Sequence, residues 1–301
     1  MTVAEAYEQC RVIARREAKN FYYSFRVLPK HKSDAMCAVY AFMRRADDIS
    51  DDESKTIDAR RVEMAAWMTA WRAAADSKQA AGPVFLALGD TQRRFGIPDE
   101  LLEELVAGTT MDLDPRGSDA HEAQTYATFE DLYRYCYLVA SVVGLVCIKI
   151  FGYTDARAEK LAEETGVAFQ LTNILRDVRE DVERDRVYLP MDLMDEFGET
   201  VAELRELASG RAMSERERAM LATLAIRAEK YYVAAGKLIP LLDRDSRAAM
   251  WVLVTIYHRL LARIAAKKMD VFRERVGVGT GEKLAILARG VVMAAWNRVL
   301  G

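Results

Sequence analysis

Apolar positions recur at three- and four-residue intervals along almost the whole chain, which is the spacing of amphipathic helices. Alternating apolar and polar runs bounded by turn residues, which would indicate strands, are almost absent. The pattern predicts helices near residues 4–20, 34–51, 57–76, 82–95, 98–108, 128–151, 155–189, 199–208, 214–236, 238–242, 246–268 and 281–299. We therefore expect an all-α chain with a single domain over residues 1–301, because no repeat, low-complexity linker or domain boundary interrupts the pattern.

The stretch over residues 165–190 predicts a helix with three different faces. A polar stripe about three turns long, within about 60° of arc, is formed by Gln170, Asn173, Asp177 and Asp181. The adjacent stripe is apolar and contains Leu171, Ile174, Leu175, Val178 and Val182. A polar stripe beside a core costs desolvation energy, and carboxylates one turn apart repel each other. A bound cation would remove both costs, whereas the alternative is an ordinary solvated face.

A second stretch of this kind lies at residues 40–52. The carboxylates of Asp47 and Asp51 are one helical turn apart, and Asp48 lies about 100° to one side. Two helices that each carry such a pair can clamp divalent cations between them. Mg²⁺ suits this site because it prefers oxygen ligands and usually binds through carboxylates together with substrate phosphates. The arginines beside the stripes, Arg44 and Arg176, favour an anionic ligand over a bare metal.

The predicted helix over residues 129–151 is apolar nearly all round after Tyr137, which is typical of a central helix in a large bundle. Its small residues Ala140, Ser141 and Gly144 would let a neighbouring helix or a ligand approach closely. Two interpretations stay open, core packing and the wall of a ligand cavity, for Leu138, Val139, Val142, Val143 and Leu145.

Composition excludes several classes of function. The 301 residues are 51% hydrophobic and 30% charged, and the net charge of −3 argues against a nucleic-acid-binding protein. The four cysteines show no CxxC spacing, so we expect free thiols in a reducing compartment. The N-terminus lacks an apolar signal segment, and the longest apolar run is too short to span a bilayer. We expect a cytoplasmic protein whose membrane contact, if any, is peripheral.

Four segments resemble the squalene and phytoene synthases: FYYSFRVLP (21–29), YAFMRRADDISDD (40–52), YRYCYLVASVVG (133–144) and QLTNILRDVREDVERDRVYLP (170–190). These synthases are head-to-head prenyl transferases with the all-α isoprenoid synthase fold, a helical bundle around a central cavity. The likeness extends from about residue 8 to about residue 290, with the motifs in the family's order. It implies Mg²⁺-dependent binding of two prenyl diphosphates.

The resemblance also implies roles for individual residues. The expected metal ligands are Asp47, Asp48, Asp51, Asn173, Asp177 and Asp181. The expected catalytic residues are Asp47, Asp51, Tyr135, Asp177 and Asp181. The expected substrate-binding residues are Asn20, Phe21, Tyr22, Arg44, Gln170, Asn173, Arg176, Tyr257 and Arg275. Asn20 departs from the serine that is frequent in the family, but an asparagine still hydrogen-bonds a phosphate oxygen.

The reaction expected from the resemblance joins two farnesyl diphosphates to presqualene diphosphate and, with NADPH, to squalene. The segments DVFRERV and GTTMDLDP favour the bacterial presqualene and squalene synthases. The alternative is phytoene or dehydrosqualene synthesis, with 15-cis-phytoene formed from geranylgeranyl diphosphate. A competing class is a non-catalytic assembly or binding protein, against which the two aspartate pairs argue. The enzyme would supply hopanoid, sterol or carotenoid precursors and act as a monomer or homodimer.

Overall fold

The protein is described by a computed structural model that covers residues 1–77, 82–111 and 124–299, without the side chains of residues 19–21, 75–77, 124 and 297–299. Its first six helices are α1 (Val3–Glu17), α2 (Lys19–Phe25), α3 (Lys30–Ser50), α4 (Ile57–Ser77), α5 (Pro83–Phe95) and α6 (Asp99–Thr110). The following helices are α7 (Phe129–Cys136), α8 (Val142–Phe151), α9 (Arg157–Val182), α10 (Met191–Glu196), α11 (Val201–Ala208), α12 (Glu215–Leu238), α13 (Arg244–Ala266) and α14 (Thr280–Val299). The all-α prediction is confirmed.

The apolar core has two halves that meet at the centre of the bundle. One half is built mainly by α1, α3, α5 and α8, and the other by α7, α9, α12 and α13. Leu138 and Val254 pack against both halves. The stripe predicted to be apolar on α9 is buried, since Leu171, Leu175 and their neighbours are at most 4% exposed. Helix α9 runs without a break through Gly166, so the polar stripe and the helix's first half share one axis.

A short π-helix, Tyr137–Ser141, joins α7 to α8 inside the predicted central helix. Glycines on two neighbouring helices allow the close approach of this segment. A Cβ atom at Gly166 of α9 would lie 2.5 Å from Ser141 Cα, and one at Gly108 of α6 would lie 2.7 Å from the Leu138 carbonyl oxygen. The backbone of the π-helix is therefore held between α6 and α9 by direct contact. π-Helical turns of this kind are frequent at functional sites.

Two short strands lie within the otherwise helical chain. Gln124–Tyr126 and Arg186–Pro190 pair in parallel as β1 and β2. The pair is short and its residues are mostly buried, so it carries no alternation of apolar and polar positions that a sequence pattern could reveal. β2 follows directly after the polar end of α9 and brings Arg186 and Tyr188 close to it.

A buried lysine ties three helices together at the far end of α3. The ammonium group of Lys32, which is 5% exposed, donates to the Phe151 carbonyl at 2.8 Å and to Asp245 Oδ1 at 2.7 Å. It also donates to Ser246 Oγ at 3.0 Å. Charge-assisted bonds in a buried position are strong and directional, so they fix α3 relative to the end of α8 and the start of α13.

Two helical stretches of the described chain, Phe129–Phe151 and Arg244–Ala266, are long and apolar enough to cross a membrane by length and composition alone. Burial inside the fold covers 50% of the apolar window in the first and 56% in the second. Both stretches contribute residues to the two halves of the core, which accounts for their apolarity.

We expect Gly166→Ala to lower the free energy of unfolding by roughly 1–3 kcal/mol, because the new methyl group must displace the backbone of the π-helix. The matched control is Gly236→Ala in α12, where no atom lies within 4 Å of the added Cβ. That control should gain up to about 1 kcal/mol, since alanine is the better helix former. Urea unfolding of both variants compares the two effects, and equal stabilities would contradict the proposed contact.

Candidate active site

Both aspartate pairs lie at the C-terminal ends of their helices. Asp47 is in the last turn of α3, and Asp51 caps that helix through a backbone bond from its amide to the Asp47 carbonyl at 2.8 Å. Asp181 is in the last turn of α9, with Asp177 one turn earlier. A helix C-terminus carries partial negative charge, so carboxylates at this end are destabilising unless positive charge compensates them.

The four aspartates surround one cavity of about 640 Å³, which we call the polar chamber. Other expected site residues also line it, namely Arg44, Tyr135, Gln170, Asn173, Arg176 and Arg275. Helix α3 supplies one wall and α9 the other, with Tyr135 from α7 between them. The structure thus brings ten of the expected site residues to a single chamber.

Two arginines hold Asp177 in its ionised form. Arg176 donates from Nε to Asp177 Oδ1 at 2.8 Å, and Arg275 donates to the same oxygen at 2.7 Å. Burial raises the pKa of Asp177, but the hydrogen bonds and charges of Arg176 and Arg275 outweigh burial and keep that pKa below its ordinary value. Since Arg275 belongs to the segment before α14, this ion pair connects distant parts of the chain.

Asp181 shows the opposite shift one helical turn away. Burial, followed by repulsion from Asp177, raises the pKa of Asp181 to about 7. The positive charge of Arg186 opposes this shift without cancelling it. The charged form of Asp181 is therefore disfavoured in the chamber, although the lining contains four arginines beside its four aspartates, and a bound cation would stabilise that charged form.

The donor groups of the chamber fit a hydrated Mg²⁺ ion. They are carboxylate and amide oxygens, and Asn173 Oδ1 is buried without a hydrogen bond from any described residue. Within residues 1–77, 82–111 and 124–299, no group of three or more His, Cys, Asp and Glu side chains is gathered as a metal cage. This arrangement suits Mg²⁺, because that ion keeps waters and takes further oxygens from substrate phosphates.

A smaller apolar tunnel of about 170 Å³ continues from the chamber. Met43, Val139 and Val143 line both spaces, and Gln170 and Asn173 lie at their junction. Ala140, Gly144 and Cys147 line the tunnel further along the π-helix and α8. The cavity interpretation therefore holds for Val139 and Val143, whereas Val142 is fully buried in the core and does not line the tunnel.

A third space, which we call the basic groove, adjoins the chamber on the side of Arg176 and Arg275 and has a volume of about 670 Å³. Arg15 and Arg16 from α1 and Lys283 from α14 add positive charge to it. Its aromatic lining is Tyr22, Tyr23 and Tyr257. Tyr257 also lines the tunnel and stacks on Phe169 with ring centroids 4.4 Å apart.

Aromatic rings form the wall of the chamber beside β2. Tyr135 and Tyr188 stack with centroids 4.8 Å apart, and Tyr126 lies 5.3 Å from Tyr135. Tyr135 is 6% exposed, so its ring is fixed by packing while it faces the chamber. Aromatic faces present negative electrostatic potential, which stabilises a nearby cation.

Several expected residues lie elsewhere. Asp48 lies outside the chamber lining, where its carboxylate pairs with Arg44 at 2.7 Å, so the structure does not bring it to the other aspartates. Tyr22 lines the basic groove instead of the chamber. The side chains of Asn20 and Phe21 lie outside the described residues.

Sequence reasoning missed several lining residues, which are Arg15, Arg16, Arg186, Tyr188 and Lys283. For Arg186 and Tyr188 a signal was present, since both belong to the segment RVYLP that ends the stretch over residues 165–190. No local pattern distinguishes Arg15, Arg16 and Lys283 from ordinary surface cations, because only the tertiary fold brings α1 and α14 together at the groove.

Known proteins resemble this chain over almost its whole length. The profile of the family described as squalene/phytoene synthase matches residues 14–282. A phytoene synthase of Mycobacterium tuberculosis (strain ATCC 25618 / H37Rv) is 36% identical over 286 residues, which cover 95% of this chain and 90% of the relative. A 15-cis-phytoene synthase of Synechococcus elongatus is 34% identical, with 97% and 94% covered.

Solved structures show the same architecture. A dehydrosqualene synthase crystallised with a ligand superposes with a TM-score of 0.81 at 29% identity, covering 96% of each chain. A squalene synthase from Alicyclobacillus acidocaldarius superposes with a TM-score of 0.78 at 26% identity, covering 88% of this chain and 95% of that one.

In metal-free protein we expect Asp181→Asn to stabilise the fold by roughly 1–3 kcal/mol above pH 7. The pKa of Asp181 is raised to about 7 in the folded state, so the folded protein binds a proton at this carboxylate more tightly than the unfolded chain does. The free energy of unfolding therefore falls as the pH rises toward 7. The stabilisation by Asp181→Asn should therefore shrink as the pH falls toward 4. Urea unfolding of both proteins at several pH values, with a chelator present, measures this difference in the free energy of unfolding.

The control for this measurement is Asp58→Asn, whose carboxylate is 89% exposed. It should change stability by less than about 0.5 kcal/mol at every pH. A destabilised Asp181→Asn protein at pH 8 would show that the carboxylate is compensated within the chain.

Proposed function

The chain belongs to the squalene/phytoene synthase family of divalent-metal-dependent prenyl transferases, and we propose that it joins two geranylgeranyl diphosphates head to head to form 15-cis-phytoene. The relatives named phytoene synthase, at 36% and 34% identity, support this substrate over farnesyl diphosphate. The proposal therefore replaces the presqualene diphosphate reaction first expected from the sequence with its alternative.

A second candidate is condensation of two farnesyl diphosphates to presqualene diphosphate, and on to squalene or dehydrosqualene. The superposition on a dehydrosqualene synthase and a squalene synthase supports this candidate. A squalene product would require a hydride donor such as NADPH, whereas phytoene forms by loss of a proton. No observation on this chain supports NADPH.

The observation that carries the proposal is the junction of the polar chamber and the apolar tunnel. A prenyl diphosphate has an anionic head and a long hydrocarbon tail, so it needs both environments side by side. Gln170 and Asn173 lie where the two spaces meet, which is where the bond between head and tail would break.

The side chains that would hold Mg²⁺ are those of Asp47 and Asp51 on one wall and of Asp177, Asp181 and Asn173 on the other. Bound there, the metal would neutralise the charge that develops on the diphosphate as it leaves. Asn173 Oδ1 supports this role, because a buried acceptor without a donor is a costly arrangement in the absence of a ligand.

The arginines of this chain would bind and orient the diphosphates. Arg176 and Arg275 face the chamber from α9 and from the segment before α14, and Arg44 faces it from α3. Their planar guanidinium groups bind phosphate oxygens in pairs and cannot lose their charge near neutral pH. Since electrostatic stabilisation of a leaving group is usually the largest contribution to such catalysis, we expect these arginines to contribute to turnover together with the metal.

The walls of the two cavities would protect the allylic cation. The stacked rings of Tyr135 and Tyr188 line the chamber and would stabilise positive charge there. Val139, Val143 and Ala140 offer no nucleophile and exclude water from the tunnel. The cation would therefore meet the second prenyl chain before it meets water.

Product analysis tests the proposal directly. Purified protein is incubated with Mg²⁺ and either geranylgeranyl or farnesyl diphosphate, with and without NADPH, and the extracted hydrocarbons are identified by mass. Phytoene from the C20 substrate without NADPH is the expected result. Preferential conversion of farnesyl diphosphate would favour the second candidate, and no product from either substrate would reject both.

We expect Asp177→Asn to lower kcat by about 10²–10³ or more, because the substitution removes one negative charge from the expected metal site. Thermal unfolding and circular dichroism should show a folded protein. Asp195→Asn, an exposed aspartate of α10, is the control and should retain normal activity. Near-normal turnover by Asp177→Asn with Mg²⁺ present would show that the polar stripe is not the metal site.

We expect Ala140→Phe to suppress reaction of geranylgeranyl diphosphate more than that of farnesyl diphosphate, because the larger ring would fill part of the tunnel. Rates with both substrates are compared with those of Ala219→Phe, an exposed position on α12. Equal loss of both rates would mean that this wall of the tunnel does not determine which prenyl chain length the enzyme prefers.

A further inference from the structure

The apolar tunnel has a far end, which lies at Phe151. Its wall residues on the π-helix and α8 recur at three- and four-residue intervals, so they share one face of this helical stretch. Val139 and Val143 also line the polar chamber, whereas Cys147 and Phe151 line the tunnel and not the chamber. Phe151 is the last residue of α8 and therefore lies at the opposite end of the tunnel from the chamber.

Helix α13 runs antiparallel to α8 along the same tunnel. Tyr257 lies at the chamber end of this wall, since it lines both the tunnel and the basic groove. Met250 lines the tunnel about two turns earlier in α13. One turn nearer the start of the helix, Ser246 donates from Oγ to the Phe151 carbonyl at 2.8 Å. Both walls therefore close at Phe151.

The backbone at Phe151 is fixed from two sides. Lys32 Nζ of α3 and Ser246 Oγ of α13 both donate to its carbonyl at 2.8 Å. The next residue, Gly152, has a φ of +76°, and its carbonyl accepts a bond from the Asp243 amide at 2.9 Å. A Cβ atom at Gly152 would lie 2.0 Å from Asp243 Oδ2. Phe151 is 1% exposed, so its side chain is close-packed on a fixed backbone and forms a rigid end to the tunnel.

The depth of the tunnel matches one particular prenyl chain. Val139 and Phe151 are twelve residues apart and Tyr257 and Ser246 are eleven apart, so the two walls measure about 16 to 18 Å at 1.5 Å per residue. A fully extended farnesyl chain is about 14 Å long, a geranylgeranyl chain about 19 Å and the next longer geranylfarnesyl chain about 24 Å, at roughly 1.25 Å per carbon–carbon bond. A geranylgeranyl chain whose first carbons lie in the chamber therefore just reaches Phe151, and the longer chain exceeds the tunnel by about one prenyl unit.

We propose that Phe151 is the floor of the tunnel and a specificity-determining residue, which limits the prenyl substrate to the length of geranylgeranyl diphosphate. The inference rests on the proposed function and extends it, because it names the side chain that sets the upper limit of chain length. Met250 also lines the tunnel, but a methionine adapts its shape and sets no sharp limit. The ring of a phenylalanine has about the bulk of one prenyl unit, so its removal should admit one unit more.

A comparison of two substrates tests the proposal. The wild type, Phe151→Ala and Phe151→Leu are each assayed with Mg²⁺ and either geranylgeranyl or geranylfarnesyl diphosphate, and kcat/KM is measured for both. The wild type should use the longer substrate at least about 100-fold less efficiently, and Phe151→Ala should reduce this difference at least about ten-fold. Phe151→Leu should shift the ratio in the same direction by less, and it keeps the test decisive if the alanine variant does not fold.

The matched control is Phe85, which receives the same two substitutions. Phe85 is 9% exposed and belongs to the same half of the core as Phe151, but it lines neither the tunnel nor the chamber. Its variants should lose thermal stability and keep the wild-type ratio of the two kcat/KM values. The proposal would be overturned by equal use of both substrates by the wild type, by an unchanged ratio in the Phe151 variants, or by an equal change in the Phe85 variants.

Equilibrium binding separates this proposal from the proposed function. Unreactive thiolo-diphosphate analogues of the farnesyl, geranylgeranyl and geranylfarnesyl substrates are titrated calorimetrically in the presence of Mg²⁺. The geranylgeranyl analogue should bind the wild type most tightly, and the geranylfarnesyl analogue should gain affinity in Phe151→Ala. An inactive wild type with this order of affinities would refute the proposed function and leave the floor intact. Phytoene formation with an unchanged substrate ratio in the Phe151 variants would refute the floor alone.

Discussion

Repulsion among carboxylates is the interaction on which the arrangement of this protein depends. Two helices end at the same chamber, and each places an aspartate pair at its negative end. Arg176 and Arg275 outweigh the burial of Asp177, whereas burial of Asp181 beside Asp177 raises its pKa in spite of Arg186. The fold thus holds one carboxylate where its charged form is disfavoured, and a bound cation would stabilise that form.

The rest of the bundle keeps the two helices from relaxing apart. The buried ammonium group of Lys32 anchors α3 far from the chamber, and the apolar stripe of α9 is embedded in the second half of the core. Both helices are therefore fixed along their length, and their C-terminal ends bring the two aspartate pairs to the lining of one chamber.

The sequence was informative wherever a residue's role followed from helical periodicity. The polar and apolar stripes of α9 and the all-α class followed from spacing, and the meeting of the two aspartate pairs followed from the cation that two such pairs can clamp. Spacing placed Asp48 about 100° to one side of Asp47, where its carboxylate pairs with Arg44, and only the resemblance to the family gave Asp48 a metal-ligand role. It also could not reveal the basic groove, since Arg15 and Lys283 meet only through the packing of distant helices.

The π-helix between α7 and α8 changes the directions in which the side chains that follow it point. A π turn holds one residue more than an α turn, so every side chain after Ser141 is rotated relative to those before it. Tyr135, before this turn, lines the chamber, Val143, after it, lines both the chamber and the tunnel, and Val142 turns into the core. One helical stretch therefore supplies wall residues to the ionic and to the hydrocarbon compartment of a continuous cavity.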